Sequence, residues 1–318
     1  MKSQVPKILS AEDFLRRKFR RSQNILNPWL PKQGAAEIHG PRGLGKSHVA
    51  LGIGIAVATG GTFLRWSAPR RRKVLLIDGE MPAALLQTWL AEAKAAAGIR
   101  TLNNLAIMAD GLQGERLPRF SSYAALRYYA AIARPYDLLI LDNLSSLAGR
   151  AGDMWSDDLQ AWLLTLRRMG KTLLFLHHSG KNKKQRGTSH KEDNLDCVIS
   201  LRRPVEYDER DGAWFEVHYE KHRHFFGDDA EPFEARLANG RWQMPGHVDD
   251  DHKAKMRILA VLGERNHTTT EIHEAFCGHL KGQKLNQVLS ELEDHGMIRS
   301  TRLSGKGKLW FLVDLPQA

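Results

Sequence analysis

Apolar positions along this chain follow two rhythms. Short, mostly apolar runs occupy residues 35–39, 74–78, 105–109, 138–142 and 172–177, as expected for strands covered on both faces. Between them, residues 47–59, 83–97, 123–133 and 157–168 carry apolar residues at helical spacing. Strands alternating with helices predict an α/β domain with a mainly parallel central sheet and crossover helices. Two later runs, 195–201 and 214–220, extend the sheet, and after Asp211-Gly212 the pattern becomes hairpin-like up to Trp242.

The flanks have a different pattern. Residues 1–33 read as an N-terminal arm: a basic helix over 11–21 with Phe14, Leu15 and Phe19 along one side, then an extended stretch carrying Pro28 and Pro31. The α/β domain takes residues 34–245, a polar linker 246–252, and a small second domain 253–318. In the last of these a helix is predicted over 254–262. Thr268-x-x-Glu271 is a capping box opening a second helix. Leu285, Val288, Leu289 and Leu292 form one buried face of a third. Strands at 297–300 and 308–313 bracket the turn Ser304-Gly305-Lys306-Gly307. Three helices followed by a hairpin predict a winged helix-turn-helix.

Composition narrows the classes. The chain has 318 residues and no apolar run of the ~18 residues that a membrane span requires. The first ten residues lack a signal-peptide core, so a cytoplasmic protein without a membrane partner is expected. Two cysteines, Cys197 and Cys277, exclude a disulfide scaffold. A net charge of +11 favours a polyanionic partner, nucleic acid before membrane, although basic proteins without such a partner are common.

The chemistry begins at residues 40–47, GPRGLGKS, between a predicted strand and a predicted helix. This is a complete G-x-x-x-x-G-K-S loop. The backbone of Gly40, Pro41, Arg42, Gly43, Leu44 and Gly45 closes around the phosphates of a nucleotide, with Lys46 as a point charge and the Ser47 hydroxyl placed for Mg²⁺. The run 138–142 ends in Asp142, which either completes the Mg²⁺ shell with Ser47 or caps its strand. Glu80 follows the strand 74–78 and is a candidate to orient the attacking water, with Asp78 the other carrier and a plain surface role also open. His218, His222, His224 and Cys277-Gly278-His279 show no metal-ligand spacing.

Taken together, these residues resemble the RecA-like motor ATPases, more narrowly the DnaB-type and plasmid RepA-type hexameric replicative helicases. The resemblance spans roughly residues 35–230. Besides the elements above it rests on Phe175-Leu176-His177-His178-Ser179, on Arg186-Gly187-Thr188-Ser189 followed by Asp196-Cys197-Val198-Ile199-Ser200, and on Glu220-Lys221-His222-Arg223. It implies a RecA-like domain that hydrolyses ATP with Mg²⁺, with Glu80 as catalytic glutamate and His178 as sensor of the γ-phosphate. It further implies a homo-oligomeric ring, a hexamer, in which Lys221 and Arg223 reach into the neighbouring subunit's site. A guanidinium fork suits the charge developing on a transferred phosphoryl group. Single-stranded DNA is the implied substrate, in the replication of a plasmid, phage or other mobile element.

Lys181, Lys183, Lys184 and Arg186 directly follow the sensor strand, and in a motor ring they would track a phosphate backbone; a basic surface loop is the bland alternative. In the winged helix, Lys281, Lys284, Lys306 and Lys308 are candidates to meet duplex DNA. Ten Lys/Arg against eight Asp/Glu over 251–318 also leave open a docking role toward a replication protein, with DNA contact the favoured reading. Rival readings for the whole chain are a nucleotide-switched DNA-binding or loader ATPase and a recombination or repair accessory.

Overall fold

The computed structural model describes residues 7–19, 23–120, 122–148, 157–178, 194–204, 207–244, 250–275, 282–303 and 307–313. The chain divides into two compact units, Met1–Met244 and Pro245–Ala318.

The first unit is built on a nine-stranded sheet. Its strands are β1 (Ala35–Gly40), β2 (Val74–Asp78), β3 (Leu105–Ala109), β4 (Leu138–Asp142), β5 (Thr172–His178), β6 (Cys197–Arg202), β7 (Trp214–His222), β8 (Phe233–Ala238) and β9 (Arg241–Gln243). Their spatial order is β9-β8-β7-β6-β1-β5-β4-β2-β3. The six strands from β6 to β3 are parallel, and β7, β8 and β9 continue as an antiparallel meander. Strand β5 therefore lies between the strand leading into the glycine-rich loop and the strand ending in Asp142. This is the RecA-like arrangement, and the α/β fold with a mainly parallel sheet is as the sequence predicts.

Alternating side chains divide between two cores, as the two-residue period of a strand requires. Ile38, Leu76, Ile140 and Leu174 pack with Val49, Ile53 and Val57 of helix α1 (Lys46–Thr59). Leu75, Leu139, Leu141 and Phe175 pack on the other face, with Leu126 and Tyr129 of α3 (Tyr123–Ile132) and Leu163 and Leu166 of α5 (Asp157–Arg168). Helix α2 (Ala83–Ala96) follows β2, and the short α4 (Leu144–Ala148) follows β4.

Within residues 1–33, Ile25, Leu26, Trp29 and Leu30 are buried in the first core, and Trp29 meets Trp66 edge-on at 5.2 Å. The helix expected over 11–21 is shorter: it spans Ala11–Arg16, capped by Ser10, and Arg17 is already extended. None of its residues is buried, and the next turn is crowded with like charges, Arg16, Arg17 and Lys18. A six-residue helix without a packed face has little to sustain it.

The second unit contains α6 (Asp250–Glu264), α7 (Thr269–Ala275) and α8 (Gly282–Asp294) with a small antiparallel sheet. The sheet strands β10 (His267–Thr268), β11 (Ile298–Arg302) and β12 (Lys308–Leu312) run in the order β10-β12-β11. Helix α6 starts at Asp250, four residues ahead of the expected position. Leu285, Val288, Leu289 and Leu292 are buried together with Ile258, Ile272, Ile298 and Trp310. The capping box forms: Thr268 N–H donates to Glu271 Oε2 at 2.7 Å, and Glu271 N–H donates to Thr268 Oγ1 at 3.2 Å. Among the described residues no helix is long and apolar enough to cross a membrane.

Candidate nucleotide site

The loop between β1 and α1 takes its shape from two glycines. Gly43 has φ 77° and Gly45 φ 92°, the left-handed region that favours glycine. Gly45 is needed a second time, because a Cβ there would stand 2.5 Å from Ala213 Cβ. Lys46 folds back over the loop, its Nζ donating to Gly40 O at 2.8 Å and Pro41 O at 2.6 Å. Burial lowers its pKa to about 8 against the attraction of Asp142 and Glu80. The ammonium thus waits beside the phosphate position, held by carbonyls that a phosphate can replace.

Asp142, at the tip of β4, is 5% exposed and is hydrogen-bonded to the Ser47 side chain. Burial raises its pKa to about 7, with Ser47 and Lys46 pulling the other way. A hydroxyl and a buried carboxyl side by side form a hard-oxygen donor pair, and Mg²⁺ takes such ligands together with phosphate oxygens and water. The residues present fit that ion.

Asp78 and Glu80 have separate jobs. Asp78 is buried, and its Oδ1 accepts the backbone N–H groups of Glu80 at 3.0 Å and Met81 at 2.7 Å. Desolvation raises its pKa. It builds the turn that sends Glu80 outward. The exposed Glu80 carboxylate lies 3.5 Å from His178 Nε2 and accepts a hydrogen bond from Asn143 Nδ2. Asn143 Nδ2 is also 2.9 Å from His178 Nε2, while its Oδ1 accepts from Ser146 N–H at 3.0 Å. Burial, then the positive charge of Lys46, lowers the His178 pKa, so the imidazole is neutral at pH 7. Lys46, Ser47, Glu80, Asp142 and His178 are thus gathered at one edge of the sheet. Asn143 is the member that sequence reasoning missed; its one signal is its place next to Asp142.

Lys221 and Arg223 are not part of this gathering. Lys221 is in register with Val198, itself beside Glu37, and His222 with Cys197, beside Ala36. From Ala36 to Gly40 is ~13 Å along the strand, so the pair sits at the sheet edge opposite the phosphate loop. A bulge between Val198 and Ile199 leaves Glu220 as an extra residue in β7. Its carboxylate holds His39 Nε2 at 3.0 Å and Arg202 Nη2 at 3.1 Å. Those two contacts were not foreseen either.

Of the basic residues expected to meet nucleic acid, Lys181, Lys183, Lys184, Arg186, Lys281 and Lys306 lie outside the described residues. Lys284 is half-buried on α8. Lys308 Nζ is 3.3 Å from Glu293 Oε2 and 4.8 Å from the Trp310 ring centre, so its charge has partners within the fold.

A family model described as AAA domain matches residues 2–184. The chain belongs to that family. It is a P-loop ATPase with a RecA-like sheet, and nucleotide binding with Mg²⁺ follows from the loop. This AAA-domain protein is also similar to a crystallised RadB recombinase, at 14% identity over 67% of this chain and 91% of that one, with a TM-score of 0.45. A KaiC-like protein from the archaeon Pyrococcus horikoshii OT3 aligns over 72% of this chain and 99% of its own, at 14% identity and a TM-score of 0.47. No curated protein matches.

Proposed function

We propose that this AAA-domain protein is an ATP-driven helicase: a ring of identical subunits that couples hydrolysis to movement along single-stranded DNA, in the replication of a plasmid, phage or other mobile element. The contact of Glu80 with Asn143 and His178 carries this reading. It joins the carboxylate suited to the attacking water with the last residue of β5, from which the chain runs into the segment holding Lys181, Lys183, Lys184 and Arg186. A change at the terminal phosphate is thereby felt at the root of a basic tether.

In this reading Lys46 and the loop N–H groups bind and neutralise the phosphates. Ser47 and Asp142 would hold Mg²⁺, which would supply charge neutralisation for the transferred phosphoryl group. Glu80 orients a water and draws its proton, while Asn143 fixes the carboxylate. Lys221 and Arg223, remote from their own loop, serve the site of the next subunit. Such a division of labour makes turnover depend on assembly.

For the second unit we favour a winged helix-turn-helix that meets duplex DNA or a replication protein. The order helix, strand, two helices, hairpin supports it, as does β10 pairing with β12. Lys281 and Lys284 flank the start of α8, with Lys306 and Lys308 in and after the hairpin turn.

The test is a forked-duplex unwinding assay with ATP, run beside a phosphate-release assay. Strand separation that stops in Lys46→Ala supports the helicase. Hydrolysis and DNA binding without strand separation would replace it by a nucleotide-switched DNA-binding or loader ATPase.

A further inference from the structure

We propose that the outer face of α3 binds single-stranded nucleic acid, at a surface separate from the nucleotide site and from the basic segment that follows β5. Helix α3 covers the face of the sheet opposite α1, with Leu126 and Tyr129 turned into the core. Its exposed positions are Tyr123, Ala124, Arg127, Tyr128 and Ala131. A helix side that meets only water carries polar and charged residues. Here two aromatic rings stand out of the surface, Tyr123 71% and Tyr128 45% exposed, and the other three side chains are a guanidinium and two methyl groups.

The charge around these rings has one sign. From Arg116 to Arg134 the chain has four arginines and no Asp or Glu. Arg116, Arg119, Arg127 and Arg134 are all exposed. The Arg127 guanidinium lies 6.0 Å from the centre of the Tyr123 ring, and Tyr128 is held edge-on against buried Tyr129 at 5.4 Å. Arg119 is kept beside the helix by its neighbours: Tyr129 Oη donates to Pro118 O at 2.7 Å, and the Phe120 ring is 4.6 Å from that of Tyr129. At the other end Lys171 Nζ donates to Arg134 O at 2.6 Å and Tyr136 O at 2.7 Å, which brings in a further cation. Asp137, the first acid after Arg134, is engaged elsewhere: its carboxylate faces Arg72 at 3.8 Å and accepts Lys73 N–H at 3.1 Å. Cations spread over the ~16 Å of helix from Tyr123 to Arg134 suit a phosphate backbone, and exposed rings among them suit bases. Only a single strand offers both. In a duplex the bases already stack on one another, and an acidic peptide brings the charge without the flat faces.

The test measures fluorescence anisotropy of labelled oligothymidylate, a duplex of equal length and polyglutamate, with no nucleotide added. The background is the full chain carrying Lys183→Ala and Lys184→Ala, which weakens the segment after β5. This background should still bind oligothymidylate, and Tyr123→Ala or Arg127→Ala within it should each weaken that binding about tenfold, with thermal midpoints unchanged. Tyr123→Phe, which keeps the ring, should stay within about twofold. Unchanged affinity in both alanine variants overturns the proposal, as does duplex or polyglutamate binding as tight as that of oligothymidylate. So does a background chain that binds no oligothymidylate; if the parent chain still binds it, the helicase tether survives that failure. The surface on α3 in turn needs neither ATP nor a ring, and would outlast the loss of the helicase reading.

Discussion

His178 Nε2 stands 3.5 Å from the Glu80 carboxylate although their strands, β5 and β2, are not neighbours in the sheet. Strand β4 runs between them, and Asn143, the residue just past its tip, bonds to both. Three strand ends are joined by one amide.

Removing that amide should separate chemistry from binding. Asn143→Ala is expected to lower kcat for ATP hydrolysis by about tenfold or more while leaving ATPγS affinity nearly unchanged. Steady-state kinetics with a parallel binding titration checks this. An equal loss of affinity would mean that Asn143 only supports the loop.

Gly45→Ala should abolish nucleotide binding. The new Cβ meets Ala213 and also forces a non-glycine residue to φ 92°. Adding Ala213→Gly relieves the collision but not the backbone, so a titration of the double variant should show partial recovery at most.

Lys221 and Arg223 lie on the wrong edge to serve their own site. Arg223→Ala is therefore expected to bind ATP normally and fail to hydrolyse it. Mixed with Glu80→Ala, it should regain part of the activity, because some interfaces then combine an intact glutamate with an intact arginine. Mixtures as inactive as their components would count against action across subunits.

Glu220 gives a pH dependence. The hydrogen bond from His39, then Arg202, holds its pKa at about 2 against an ordinary 4.5. A depressed carboxylate contributes stability above pH 4.5 that disappears as pH falls from 4.5 through about 2, since the unfolded chain takes up the proton first. Its partial exposure to solvent keeps the effect modest. Urea midpoints measured at several pH values in this window should fall more steeply for the parent chain than for Glu220→Gln.

Leu289 is fully buried in the core of the second unit. Leu289→Ala should cost about 2–5 kcal/mol there. Thermal unfolding followed by calorimetry should show an early transition of the second unit while ATP binding persists.

Much of this was legible in the sequence because buried parallel strands are nearly pure aliphatic runs. The strands β2, β3 and β4 begin and end where those runs do, and a strand ending in a carboxylate after a glycine-rich loop made Asp142 a candidate, which the structure places beside Ser47. Contacts between strand tips were not legible. Nothing in the sequence pairs Asn143 with residues 63 positions earlier and 35 later, and no periodicity records the bulge that turns Glu220 toward His39. Strand β10 is two residues long, too short to show alternation. The N-terminal helix was overestimated because amphipathic spacing carries no information on whether anything covers the apolar side.

Cys197 begins β6 between Ala36 of β1 and His222 of β7, fully enclosed, with burial pushing its thiol pKa up. With Cys277 replaced by serine, an alkylating reagent would modify this sulfur only after those strands part. The labelling rate is then a clock for sheet opening, and slower labelling with nucleotide bound would measure how firmly the ligand clamps the middle of the protein.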